Sequence, residues 1–89
     1  MPVSLEDVHR RLAVAKVDYD DAAALGPQAV PHLSTLVAGA DTVLAAKALY
    51  LAGVIGGPAA KALLDAAAGH PDPIVRIAAS AALRTMRSR

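Results

Sequence analysis

Apolar residues recur at helical spacing in six stretches, and glycine, proline and aspartate stand between them. In the first stretch Leu5, Val8, Leu12 and Ala15 fall three or four residues apart, with Glu6, His9, Arg10 and Lys16 elsewhere around the wheel. Ser4 stands where its hydroxyl caps the first turn, and Asp7 three residues on meets the positive end of the helix dipole. A break at Val17-Asp18 leads into a short second helix from Tyr19 to Leu25, with Asp18 or Asp20 as its cap. Gly26-Pro27 stops that helix and starts a third, which runs to about Ala38. Val30, Leu33, Leu36 and Val37 share one of its faces, and Pro31 lies in its first turn, where a missing N–H costs little.

Gly39 ends the third helix and Asp41 caps the fourth, Thr42 to Ile55, which Gly56-Gly57 terminates. Its only charged residue from Val43 to Ile55 is Lys47. A helix apolar nearly all round must be covered on several sides, which places it in the middle of the structure. Pro58 starts the fifth helix, with Ala60, Leu63, Leu64 and Ala67 on one stripe, and Gly69-His70-Pro71 breaks it. Asp72-Pro73 opens the sixth, whose inward stripe is Val75, Ala79, Ala82, Leu83 and Met86. Alanine makes up roughly a quarter of the chain, which favours helix and lets helix axes approach closely. No alternating run of β-branched residues supports a strand, so the expected class is all-α.

The stretches repeat. Gly26-Pro27-Gln28-Ala29 matches Gly57-Pro58-Ala59-Ala60 and Leu33 matches Leu64, at an offset of 31. Val43-Leu44-Ala45-Ala46 matches Val75-Arg76-Ile77-Ala78 and Leu51 matches Leu83, at an offset of 32. A one-residue insertion in the turn between the helices reconciles the two. Asp72-Pro73-Ile74-Val75-Arg76-Ile77-Ala78-Ala79-Ser80-Ala81-Ala82-Leu83 resembles the second helix of a HEAT repeat of the short bacterial kind. Leu25-Gly26-Pro27-Gln28-Ala29-Val30-Pro31-His32-Leu33 is similar to the lead-in and first helix of the same unit. The resemblance spans residues 25–86 and, more weakly, the first 24. It implies one domain over residues 1–89, a short right-handed α-solenoid of about three antiparallel helical hairpins. Residues 1–25 form a degenerate leading hairpin, and 26–56 and 57–89 are the repeats. In that family an aspartate in the turn and an arginine early in the second helix form a ladder between repeats. Asp41, Asp72 and Arg76 stand at those positions, while Leu44 replaces the earlier arginine. That leaves one rung, Asp41 to Arg76, or equally two capping aspartates and a solvated arginine.

Charge and composition narrow the function. With 89 residues the chain buries only about 60–65% of its unfolded surface. The net charge of +1 exerts no strong pull toward nucleic acid or a membrane. Glu6, Asp7, Asp18, Asp20, Asp21 and Asp41 lie in the first half, and Lys47, Lys61, Arg76, Arg84, Arg87 and Arg89 in the second, so one end is mildly acidic and the other basic. The chain has no cysteine, which excludes disulfides, thiolate metal sites and thiol nucleophiles. The polar start Met1-Pro2-Val3-Ser4-Leu5-Glu6-Asp7 does not have the pattern of a signal peptide. The run Val43 to Ile55 falls short of the ~20 residues that span a bilayer, so a cytoplasmic protein without membrane contact is expected.

Catalytic constellations are missing from the pattern. His9, His32 and His70 form no pair at i, i+4, and no His-Glu step of the iron-binding HEAT hydroxylases occurs, so no metal site is expected. Ser4, Ser34, Ser80 and Ser88 have no nucleophile-elbow context. Gly53-Val54-Ile55-Gly56-Gly57 lacks the Lys-Ser/Thr of a phosphate loop and reads as a helix stop. Asp18, Asp20 and Asp21 lack the glycine and terminal glutamate of a calcium loop. The expectation is a non-enzyme that carries no cofactor.

One surface remains. Arg76, Ser80, Arg84 and Arg87 fall at i, i+4, i+8 and i+11 and line one face of the last helix, extended by Arg89. Beside them Ile74, Ile77 and Ala81 form an apolar edge, more than the end of a solenoid needs. Ile74, Arg76, Ile77, Ser80, Ala81, Arg84 and Arg87 are therefore the candidate partner-binding residues of an adaptor or scaffold. The expected partner is another protein, or a second copy of the chain. Two alternatives stand beside it. The arginine strip suits a nucleic-acid backbone only weakly, since no tryptophan is present to stack on a base. The resemblance also admits an accessory subunit of an enzyme of the phycobilin-lyase kind, although nothing aromatic here would line a pigment pocket.

Overall fold

The computed structural model describes residues 3–13 and 18–87, apart from the side chain of Asp21. Ala15, Lys16, Val17, Ser88 and Arg89, each given a place above, lie outside the described residues. Among the described residues six α-helices follow one another: α1 Leu5–Leu12, α2 Tyr19–Ala23, α3 Val30–Val37, α4 Thr42–Ile55, α5 Gly57–Ala67 and α6 Pro73–Arg87. No strand forms among the described residues.

Local chemistry sets most of the helix ends. The Ser4 hydroxyl accepts from the Asp7 N–H at 3.1 Å while Asp7 accepts from the Ser4 N–H at 3.5 Å, a reciprocal cap at the start of α1. Asp41 accepts from the Leu44 N–H at 3.0 Å at the start of α4, and Asp72 from the Ile74 N–H at 2.8 Å at the start of α6. The stretch from Pro27 is not continuous α-helix: Pro27–Ala29 is a tighter 3₁₀ turn, closed by the Ala29 N–H on the Gly26 carbonyl, and α3 begins only at Val30. Pro31 then occupies the first turn of α3, as its missing donor requires.

α4 is the centre of the molecule. It packs against α1, α2, α3, α5 and α6, and Ala45, Ala48, Leu49, Leu51, Ala52 and Gly53 are buried on it. The core continues through Val8 and Leu12 of α1, Leu33 of α3, Leu64 of α5 and Val75, Ala79 and Ala82 of α6. Met86 of α6 lies beside Gly53, Ile55 and Gly56, so α4 and α6 bring their C-terminal ends together. Ser34, Val37 and Ala38 meet Leu63, Ala66 and Ala67 in the same way, so α3 and α5 do likewise. The last four helices thus form two layers, α3 beside α5 and α4 beside α6.

The repeat has a different register from the one expected. Val43 is 64% exposed whereas Val75 is 1% exposed, so they are not equivalent positions. A single offset of 31 aligns helix starts Thr42 and Pro73, caps Asp41 and Asp72, exposed Val43 and Ile74, and buried Ala48 and Ala79. No insertion separates the paired helices. The extra residue is Gly57: Gly26 (φ 75°, ψ −171°) and Gly56 (φ 73°, ψ −171°) share one left-handed conformation, which glycine adopts freely, but only Gly26 is followed directly by proline.

Two polar side chains tie the leading segment to this frame. Lys47, the one charge in α4, reaches out to donate from Nζ to the Leu12 carbonyl at 3.1 Å, where the last carbonyls of α1 lack intrahelical partners. The His32 Nε2 donates to the Val3 carbonyl at 2.8 Å. Lys47→Met keeps the apolar stem and removes the donor. We expect it to cost about 1 kcal/mol and to lower the thermal midpoint by roughly 4–8 °C, read by circular dichroism, with faster amide exchange in α1.

Candidate interaction surface

Along α6 the side chains divide by angle. Val75, Ala79 and Ala82 are buried, and the rest of the circumference carries Arg76, Ser80, Arg84 and Arg87, then Ile77, Ala81 and Ile74. Ile74 is 53% and Ile77 69% exposed; Arg76, Ser80, Arg84 and Arg87 are exposed, and Ala81 is half-buried. All seven candidate residues thus lie on the accessible side of one helix. No carboxylate occurs between Pro73 and Arg87.

Arg76 is held by its own turn. Its Nη1 donates to the carbonyls of His70 and Pro71, each at 2.9 Å, while the Asp72 N–H donates to His70 Nδ1 at 3.0 Å. Among the described residues no ion pair joins Arg76 to Asp41, which caps α4 instead. The inter-repeat rung is therefore not formed. The guanidinium reaches turn carbonyls near at hand, and Arg87 lies beside Lys61 and Asp65 of α5.

The surface extends beyond α6 onto residues that the sequence pattern did not mark. Among the described residues the exposed large apolar side chains are Leu5, Val43, Tyr50, Ile74 and Ile77. Four of these five lie on α4 and α6, and none on α3 or α5. With the offset of 31, Val43 is equivalent to Ile74, Ala46 to Ile77 and Tyr50 to Ala81, so each pair projects from the same side of its helix. The two helices approach closely where Gly53 meets Ala82. Tyr50 is steadied by Tyr19 of α2, with ring centroids 4.4 Å apart and planes tilted by 55°. Partial burial, and Tyr50 beside it, push the Tyr19 phenol above its ordinary range. Had the offset of 31 been carried through the fourth helix, Val43 would have been paired with Ile74 from the sequence alone.

The chemistry available here is contact, not reaction. Among the described residues no cluster of three His, Asp or Glu side chains converges, and no polar or charged side chain is buried in the core. Among the described residues no helix is long and apolar enough to cross a membrane. No family model matches the chain, and no curated protein and no solved structure shows significant similarity to it.

Proposed function

We propose that this chain is a cytoplasmic protein-interaction module, a short right-handed HEAT-like solenoid without catalytic activity, which binds a partner protein through the exposed face of α4 and α6. One observation carries the reading: Val43, Tyr50, Ile74 and Ile77 stand exposed on one helical layer, while the layer of α3 and α5 exposes no large apolar side chain. Scattered apolar residues on a surface need no explanation, but a set confined to one layer and bordered by arginines marks a contact. The paired helices, the offset of 31 and the two layers support the solenoid reading. The strip of Arg76, Ser80, Arg84 and Arg87 then serves as the polar end of the stack and as the rim of the contact.

Affinity capture from a lysate of the protein's native cells tests the assignment. Replacing Arg76, Arg84 and Arg87 together by Glu leaves helicity nearly unchanged, because exposed charges contribute little to stability. The same replacement weakens partner retention at least tenfold through like-charge repulsion at the rim. Full retention by this variant and by Ile77→Glu, with loss on changing His32 or Thr35 of α3, would move the binding surface to the other layer.

A further inference from the structure

We infer that Tyr19 and Tyr50 form an oxidative cross-linking site, at which a one-electron oxidant joins the two rings as dityrosine within one chain and fastens α2 to α4. This modification stands apart from the reading of the α4–α6 face and needs no partner protein.

The site begins with composition. Tyr19 and Tyr50 are the only tyrosines, and the chain has neither tryptophan nor cysteine. Phenol, indole and thiol are the side-chain groups that give up a single electron most readily. A one-electron oxidant therefore acts on a tyrosine here, and no indole or thiol drains the radical afterwards. The fold then brings together two phenols that lie far apart in sequence. α2 has five residues, too few to hold a helix alone. It is seated on α4 with Ala22 buried and with Tyr19 and Ala23 half-buried against the core. Tyr19 meets Tyr50 with ring centroids 4.4 Å apart, which puts ring carbons in van der Waals contact. Tyr50 is 42% exposed, so an oxidant in solution reaches it directly.

The chemistry follows from that contact. Each phenol gives one electron to the oxidant and its hydroxyl proton to water, leaving two phenoxyl radicals side by side. The unpaired spin of a phenoxyl spreads to the carbons ortho to its oxygen. A carbon–carbon bond forms between one ortho carbon of each ring. The hydrogen on each of those carbons then moves to the oxygen, and both phenols are restored. The balance is two electrons to the oxidant, two protons to water and two hydrogen atoms lost from the protein. A ferryl haem or a photo-oxidised metal complex is the class of oxidant required. Because the rings already touch, coupling within the chain outruns coupling between chains in dilute solution.

Illumination of dilute purified protein with a ruthenium complex and persulfate provides the test. The expected product is a monomer lighter by two hydrogen atoms that shows dityrosine fluorescence. Trypsin, cutting after Lys16, Lys47 and Lys61, releases residues 17–47 joined to residues 48–61. Unfolding the protein in urea before illumination lowers the yield of coupled monomer about tenfold or more, since the rings are no longer held together. Tyr19→Phe and Tyr50→Phe each abolish the coupled monomer and keep the helical spectrum. The cross-link closes the chain from Tyr19 to Tyr50 into a loop and raises the thermal midpoint by about 10 °C. Dityrosine confined to covalent dimers, or sulfoxide at Met86 without coupling, overturns the inference. So does an equal yield in urea, or a coupled monomer that melts no higher than the parent.

Discussion

Leu51→Asp leaves the chain without its helical far-ultraviolet signal at 25 °C. Leu51 is fully buried in α4, the helix against which all the others pack. No buried polar or charged group among the described residues stands ready to receive a carboxylate there. Desolvating an unpaired acid costs several kcal/mol whether it stays charged or takes up a proton. The loss of leucine packing adds about 2–5 kcal/mol more. A domain of this size has a total stability that starts at about 5 kcal/mol, so the sum exceeds what the fold can tolerate. A variant that melted within a few degrees of the parent would mean that Leu51 is not enclosed.

Gly53→Leu separates α4 from α6 and destabilises the protein by about 3 kcal/mol, near the upper range for overpacking a tight interface. An ideal Cβ at Gly53 would stand 3.0 Å from the Ala82 carbonyl oxygen, 3.1 Å from the Ala82 Cβ and 3.3 Å from its Cα. Two of those three atoms are backbone, so relief requires moving α6 and not turning a flexible side chain. Leucine is the better helix former by somewhat under 1 kcal/mol, so propensity alone predicts the opposite sign. Gly69→Ala is the control. A Cβ there would be in ordinary contact, 3.7 Å from the Ala66 carbonyl, and the change is expected to shift stability by less than about 1 kcal/mol. Urea unfolding of the three proteins gives the comparison, and a Gly53→Leu variant as stable as the parent would contradict the close approach.

Much of this fold was legible in the sequence because its determinants are local. Ser4, Asp41 and Asp72 announce helix starts through hydrogen bonds to neighbours two or three residues away, and Gly26 and Gly56 announce stops through φ. The stripes of α3, α5 and α6 follow from a 3.6-residue period, and the central place of α4 follows from its near-absence of charge. What could not be read from spacing alone was how one helix sits against the next. Gly53 stands among glycines that resemble a helix stop, yet it lies inside α4 because Ala82 of a distant helix occupies the space of its side chain. Lys47 looks like an interruption of an apolar run until α1 supplies the carbonyl that it meets. The offset of 32, drawn from the likeness of Val43 to Val75, failed for the same reason: identity of side chain is a weaker guide to equivalence than the caps Asp41 and Asp72. The arginines and isoleucines of the candidate site were visible from their spacing, whereas the contribution of Val43 and Tyr50 depended on how α4 and α6 lie together.

The chain has no cysteine, so a single introduced thiol reports on one place alone. The most direct test of the binding surface compares alkylation rates of Ile77→Cys and Ser34→Cys, each as dilute purified protein and in a lysate of its native cells. Ser34 is exposed on α3 and Ile77 on α6, so both thiols react freely when the protein is alone. The account predicts at least tenfold slower alkylation at position 77 in the lysate, with the rate at position 34 unchanged. Protection at position 34 with none at position 77 would contradict it.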